Sequence, residues 1–179
     1  MGSATTAALS GPISGAGTVV FPTGTVNYSG TYDVTGGTQV TNGTANFTVP
    51  VTSVGPLTVS GGTMNFSTGK AVTTSSLNQS AGTLAGSDAL TVTGALTWSG
   101  GTESGSAATN ANGGMTISGE PFLDTRTMNN AKTATWNGVV FVMQNSGVFN
   151  NKSGATWNHQ NDSAIQYDGG SPVDRKSVV

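Results

Sequence analysis

The chain is poor in charge. Only 8% of its 179 residues are charged, with 6 basic and 8 acidic side chains and a formal net charge of −2, whereas a typical soluble domain is roughly 25% charged. So small and balanced a charge leaves no electrostatic footprint for nucleic acid or for an anionic membrane surface. We therefore expect no nucleic-acid partner.

Cysteine and long apolar runs are also missing. The absence of cysteine excludes disulfides and thiolate metal sites. No apolar run approaches the roughly 20 residues that a membrane-spanning helix needs, so membrane insertion is not expected. Proline is scarce, at 6 residues, which argues against a Pro-rich disordered chain.

Glycine and small polar residues are what the chain has instead. There are 27 glycines, about twice the usual share of roughly 7%. Threonine and valine are frequent, and both are β-branched residues that favour strands. This composition predicts an all-β protein.

A repeat of about 20 residues runs along the chain. Similar five-residue stretches, each apolar at positions one and three with polar residues between, start at Tyr32, Leu57, Leu77, Leu96, Met115, Ala134 and Ala155. A glycine and often a threonine follow most of them, as at Gly62-Thr63 and Gly101-Thr102. A unit this short buries nothing alone, so the units must stack and share a core.

The repeat predicts a right-handed parallel β-helix, a solenoid with coils of about 19–25 residues. Residues 15–168 form the single β-helix domain in this interpretation. Residues 1–14 are expected to be a leader or an N-terminal cap, and residues 169–179 a C-terminal tail or linker. Further strands are predicted at 63–66, 90–93 and 139–143.

Alternation within each stretch separates core from surface. Positions one and three should face inward, and a column of Leu57, Leu77, Leu96, Met115, Ala134 and Ala155 is expected in the core, with Trp98, Trp136 and Trp157 beside it. Gln79 interrupts the inward set and needs a hydrogen-bond partner there. Asparagines recur late in successive coils, and they predict a side-chain ladder at the turns. They are Asn110 and Asn112, Asn129 and Asn130, and Asn150 and Asn151.

Stretches such as 57–69, 90–102 and 146–158 resemble the degenerate coils of large bacterial surface proteins. These include autotransporter passengers and filamentous-haemagglutinin-type adhesins. The resemblance is one of repeat style over roughly residues 15–168. It implies a β-helix and an extracellular or cell-surface location, and it transfers no functional residue.

Catalytic groups are few. Glu120, Asp124 and Arg126 lie on one predicted strand and could hold two carboxylates within glycosidase range, but we interpret them as a surface salt-bridge set. His159 is the single histidine and is expected to replace the glycine at a bend. We predict no enzyme activity, no catalytic residue, no metal and no cofactor.

The outward positions form the candidate binding face. It comprises Thr58, Ser60, Thr97, Ser99, Thr116, Ser118, Thr135, Asn137, Thr156 and Asn158. Threonines repeated every ~4.8 Å on a parallel sheet resemble the ice-binding face of β-solenoid antifreeze proteins, although Asn78 interrupts the column.

The sequence thus favours a structural function. The leading interpretation is a non-catalytic rod of an extracellular or cell-surface protein, either an adhesin stalk or a filament subunit that associates with itself. The alternatives are an ice-binding solenoid and a solenoid that binds or degrades polysaccharide. Expected partners are a second copy of the chain, a carbohydrate or an ice surface.

Overall fold

The computed structural model describes residues 5–169 and, for the strand at 173–176, the backbone. The described residues contain 25 strands, numbered β1 to β25 in chain order, and no helix. All strand pairs are parallel, and the chain stacks into a β-solenoid of about eight turns. The predicted all-β solenoid is confirmed.

Three long sheets run along the solenoid. Sheet I contains the repeated stretches in β3 (Thr18–Phe21), β6 (Gly37–Val40), β8 (Leu57–Val59), β11 (Leu77–Gln79), β14 (Leu96–Trp98), β17 (Met115–Ile117), β20 (Thr133–Trp136) and β23 (Thr156–His159). Sheet II contains β1 (Thr6–Leu9), β4 (Thr25–Tyr28), β7 (Thr44–Phe47), β9 (Thr63–Phe66), β12 (Thr83–Ala85), β15 (Thr102–Glu103), β18 (Phe122–Asp124), β21 (Val140–Gln144) and β24 (Ala164–Asp168). Sheet III contains β10 (Val72–Thr74), β13 (Leu90–Val92), β16 (Ala108–Ala111), β19 (Thr127–Asn130), β22 (Val148–Asn151) and β25 (Val173–Lys176).

Each complete coil contributes one strand to each sheet, in the order I, II, III. In the first coils the third place is taken by a separate pair, β2 (Ile13–Gly15) with β5 (Tyr32–Val34). Of the further strands that the sequence predicted, the one at 90–93 is β13 in sheet III, and the one at 63–66 is β9 in sheet II. Pairing reaches β1 at one end and β25 at the other, so strands lie within both segments that the sequence set apart from the domain.

The register corrects the first copy of the repeat. Tyr32 pairs with Ile13 outside sheet I, and the residue aligned with Leu57 is Thr38. The unusually long first spacing, from Tyr32 to Leu57, was therefore a misalignment, because the step from Thr38 to Leu57 matches those between later coils. Tyr32 is buried nonetheless, and its hydroxyl lies 2.8 Å from that of Thr38.

The last coil is also shifted from the predicted alignment. Ala134 pairs with Trp157, not with Ala155, so the coil is two residues longer than the sequence pattern indicated. Ala155 is buried beside the column but is not part of it. The inward column of sheet I is otherwise confirmed, with Leu57, Leu77, Leu96, Met115 and Ala134 stacked in register.

Aromatic side chains fill both ends of the core. Near the amino-terminal end the rings of Phe47 and Phe66 stack with centroids 5.2 Å apart. Towards the other end Trp98 and Trp136 are fully buried, and Trp157 is partly buried with its ring 5.7 Å from that of Trp136. The tryptophans therefore point inward, as the sequence predicted.

Glycine at the bends after sheet I is required by close backbone approach. Gly62 has φ +63° and Gly101 φ +80°, conformations that residues with a side chain rarely adopt. A Cβ at Gly62 would lie 1.9 Å from the carbonyl oxygen of Gly43 in the coil below. These glycines let successive bends stack directly on one another.

Asparagine ladders form on two sheets. On sheet III the amide nitrogen of Asn129 donates to Asn110 at 2.8 Å, and that of Asn150 donates to Asn129 at 3.0 Å. The predicted ladder is confirmed, but it lies on strands, not at turns. A second ladder on sheet II, which the sequence reading missed, joins Asn27, Asn46 and Asn65.

The alternation of the repeat predicts opposite results for two neighbouring residues of β11. Leu77 is buried and Asn78 is exposed. We expect Leu77→Ala to lower the free energy of unfolding by about 2–5 kcal/mol, because it leaves a cavity in the core. Asn78→Ala, its matched control, should change it by less than about 0.5 kcal/mol. Urea denaturation measures both, and equal losses would contradict the assignment of faces.

Candidate functional site

Most of the predicted face lies in two outward columns of sheet I. The first contains Thr58, Thr97, Thr116 and Thr135, with Asn78 between the first two. One position beyond the strand ends come Ser60, Ser99, Ser118 and Asn137. None of the ten predicted residues is buried. The structure thus places these side chains on one surface, and whether that surface binds anything stays a prediction.

The last coil contributes differently from the prediction. Thr156 aligns with Thr133, and Asn158 aligns with Thr135. The first column therefore ends in Asn158, and Thr156 stands in the neighbouring column. The reason is the longer last coil, which moves the chain by two residues along the strand.

A more regular threonine column lies on sheet II. Six successive strands contribute the aligned residues Thr6, Thr25, Thr44, Thr63, Thr83 and Thr102, none of which is buried. The asparagine ladder of sheet II runs beside it. Sequence reasoning noted the Gly-Thr pairs that hold three of these threonines but did not recognise them as a face. Their nearly constant spacing along the chain was the signal that could have revealed it.

A groove of about 420 Å³ borders the face on sheet I. Its lining includes Gly113, Gly114, Lys132, Thr97 and Thr116. The groove has hydroxyl groups and one ammonium group but no aromatic lining. It therefore lacks the flat apolar surface on which sugar rings stack.

Of the three charged residues predicted on one strand, Arg126 does not share a surface with the other two. Glu120 is exposed, Asp124 is partly exposed, and Arg126 is 1% exposed. Asp124 accepts a hydrogen bond from Asn145, whereas Arg126 turns into the core. The interpretation as a surface salt-bridge set is wrong, because the ion pair of Arg126 is internal.

The partner of Arg126 is Glu103, which the sequence analysis did not single out. Both side chains are buried, with Arg126 Nε 3.3 Å from Glu103 Oε2. The hydroxyl of Thr109 donates to the same carboxylate oxygen and accepts from Arg126 Nε at 2.8 Å. The hydroxyl therefore bridges the two charged groups.

The rest of the guanidinium is satisfied by backbone. Its two terminal nitrogens donate to the carbonyl oxygens of Gly86, Ser104, Asp88 and Ala108 at 3.1–3.4 Å. These acceptors lie in two earlier coils, so one side chain links three levels of the solenoid. The charge is thus compensated and fully hydrogen-bonded, as burial requires.

The carboxylate is less well satisfied than the guanidinium. Glu103 Oε1 is buried and has no hydrogen-bond partner. Burial raises the pKa of Glu103, against the opposing effects of Arg126 and of the Thr109 hydroxyl. Burial likewise lowers the pKa of Arg126. Because Glu103, Thr109 and Arg126 are buried, their side chains can stabilise or strain the fold but cannot contact a substrate.

His159 lies on a strand and not at a bend. It is the register partner of Trp136, and the two rings stack with centroids 4.4 Å apart and planes 7° apart. Its Nε2 lies 3.0 Å from the hydroxyl of Ser163, which donates to Asn161 at 2.6 Å. That hydroxyl hydrogen is thus committed to the amide, and no carboxylate among the described residues bonds to His159 to orient it as a base.

Two further properties hold for the residues that the structure describes. They contain no group of three or more His, Cys, Asp or Glu side chains placed to hold a metal ion. Nor does any helix among them have the length and apolar character needed to cross a membrane.

Gln79, which needed a hydrogen-bond partner in the core, donates to the carbonyl oxygen of Thr102 at 3.0 Å. Its own Oε1 is buried and has no hydrogen-bond partner.

The buried ion pair predicts a specific pH dependence of stability. A carboxyl with a folded-state pKa above its unfolded value of about 4.3 contributes stability at low pH that is lost as the pH rises through the folded pKa. Glu103→Gln cannot ionise, so we expect its free energy of unfolding to increase relative to wild type as pH rises above about 4. Chemical denaturation at several pH values measures this difference.

Glu120→Gln is the matched control, because it removes one negative charge at an exposed position. It should not reproduce the effect. A difference between wild type and Glu103→Gln that grows in favour of wild type with rising pH would show that the attraction of Arg126 outweighs the cost of burial. A difference that stays constant would show that the two effects cancel, and it would also contradict the raised pKa.

Comparisons with known protein families, with characterised proteins and with solved structures give no match to this chain. Its function is therefore argued from its own geometry.

Proposed function

We propose that this chain is a non-catalytic structural rod of an extracellular or cell-surface protein, serving as an adhesin stalk or as a filament subunit. The observation that carries the proposal is the continuity of the sheets. Sheets I and II extend through eight and nine strands without a break, and each interior strand pairs on both edges. At ~4.8 Å per coil, about eight turns give a rod roughly 40 Å long.

The interior is consistent with a mechanical role. The buried charged side chains of Glu103 and Arg126 bond to one another and to backbone, and the asparagine ladders join neighbouring coils on the outside. Such contacts between coils add to the backbone ladder, and they favour one register over others. The extracellular location in this proposal is drawn from the style of the repeat.

Two features favour a rod over a polysaccharide-acting protein. Trp98 and Trp136 lie in the core, so neither can serve as a stacking platform for sugars. Arg126 turns inward, so the predicted set of three charged residues loses its basic member. Replacing Glu120 and Asp124 by Gln and Asn should therefore leave the function of the protein as a structural rod unchanged.

A rigid rod predicts a narrow distance between labels placed along sheet II. Ala8 and Gln144 lie in the same outward column, seven strand steps apart, which corresponds to roughly 34 Å. Spin labels on Ala8→Cys and Gln144→Cys should give one narrow peak by pulsed electron paramagnetic resonance, because no native cysteine competes. The labelled protein is diluted with unlabelled protein to exclude contacts between copies.

The pair Ala8→Cys and Ala85→Cys is the control. It spans four steps, roughly 19 Å, so the two distances should differ by the rise of three coils. A broad distribution for the longer pair with a narrow one for the shorter pair would mean that the solenoid bends or opens, and it would contradict a stiff spacer.

A second function, ice binding, is favoured by the threonine column of sheet II. Six aligned threonines without interruption give a more regular array than the face predicted on sheet I. If ice binds there, thermal hysteresis should be measurable in the wild type and lost in Thr63→Tyr, because the ring would hold the surface away from the crystal. Thr116→Tyr on sheet I should retain it. Absence of hysteresis in the wild type would exclude this function.

A further inference from the structure

Among the described residues, each end of the solenoid has three edge strands. At the amino-terminal end these are β1, β2 and β3, and at the other end they are β23, β24 and β25, each with one strand neighbour. Edge strands are templates for pairing with another chain unless they are blunted. The amino-terminal edge has no charged side chain between residues 5 and 32, so charge does not blunt it.

Apolar side chains of the inward columns are also part-exposed at both ends of the described residues. Leu9 continues the column of Tyr28 and Phe47, which are fully buried, yet it is 42% exposed. Tyr167, in the neighbouring inward column, is 47% exposed at the opposite end. A further coil on either end would remove this apolar surface from water.

At one inward position the two edges of sheet II have complementary side-chain sizes. Following the register through all nine strands, the column that begins with Ala7 ends with Tyr167. If the sheet continued into a second copy, the small Ala7 would face the large Tyr167. Filled interiors need this alternation of large and small.

From these observations we propose that a second copy of the chain is the partner: β1 of one copy adds in parallel, in register, to β24 of the next. The outward pairs in this arrangement are Thr6 with Gln166 and Ala8 with Asp168, which oppose no like charges. The contact joins different surfaces of the two copies, so the assembly is open and grows as a filament. The inference rests on the proposed structural function and specifies its partner and register.

Disulfide trapping tests the register directly. Directly opposed residues of adjacent parallel strands lie about 4.8 Å apart, within the Cα separation that a disulfide accepts. Mild oxidation of Ala8→Cys/Asp168→Cys should give a ladder of dimers, trimers and longer species on a non-reducing gel. Mass spectrometry should identify the bond between positions 8 and 168 of different chains.

Matched variants separate specific stacking from random collision. Ala8→Cys alone should give at most dimers, and Ala8→Cys/Ala85→Cys, with its second thiol in the middle of the same column, should give no ladder. An equal ladder from that control, or no ladder from Ala8→Cys/Asp168→Cys, would overturn the proposed register.

Sedimentation of the cysteine-free chain supplies an independent measurement. Wild type should associate as concentration rises, and Ala7→Trp, which overfills the joint opposite Tyr167, should weaken association at least tenfold. Thr6→Val, next to it but facing outward, should not. A wild-type chain that stays monomeric at high concentration would refute the stacking, whereas a narrow label distance in the Ala8→Cys/Gln144→Cys protein would leave the rod itself intact.

Discussion

In-register parallel pairing of one coil on the next is the constraint on which this structure depends. A strand in the middle of the solenoid satisfies its backbone donors and acceptors only if the coils before and after present the same strand at the same level. A slip of one residue would turn every inward side chain outward. The coil length is therefore almost constant from Thr38 to Ala134 along sheet I. Where the last coil is longer, the extra residues lie between strands and the pairing is kept.

The residues that fill the core differ from coil to coil, although the strand register stays the same. On sheet II the buried column of Tyr28, Phe47 and Phe66 is followed by Gly86, which leaves no side chain to fill the interior. The guanidinium of Arg126 reaches the carbonyl of Gly86 from two coils away. Burying this charge is tolerated because Glu103, the Thr109 hydroxyl and backbone carbonyls meet it, and the arrangement joins coils through side chains as well as backbone.

The same repetition that builds the core also determines the outside. Every outward position becomes a column of similar residues, so the surface consists of long, flat rows of Thr, Ser and Asn with few charges. Such rows offer an extended or repetitive partner many equivalent contacts along the axis. The rod and the ice-binding alternatives both draw on this property, and they differ in whether the ends or the faces of the solenoid are used.

The sequence by itself determined the repeat, the all-β class and the inward direction of Leu77, Trp98 and Trp136, because alternation and period are local properties that survive without knowledge of contacts. It failed where the period is broken. Tyr32 was aligned with the wrong sheet, and Ala155 was placed two residues out of register, since a lengthened coil looks the same in sequence whichever bend absorbs it. The threonine column of sheet II left a signal in the nearly constant spacing of its residues, but only the stacked register shows that they share one face. The joining of Glu103 with Arg126, which lie in different coils, was decided by the tertiary structure alone, because only the stacked register fixes which coil lies above which.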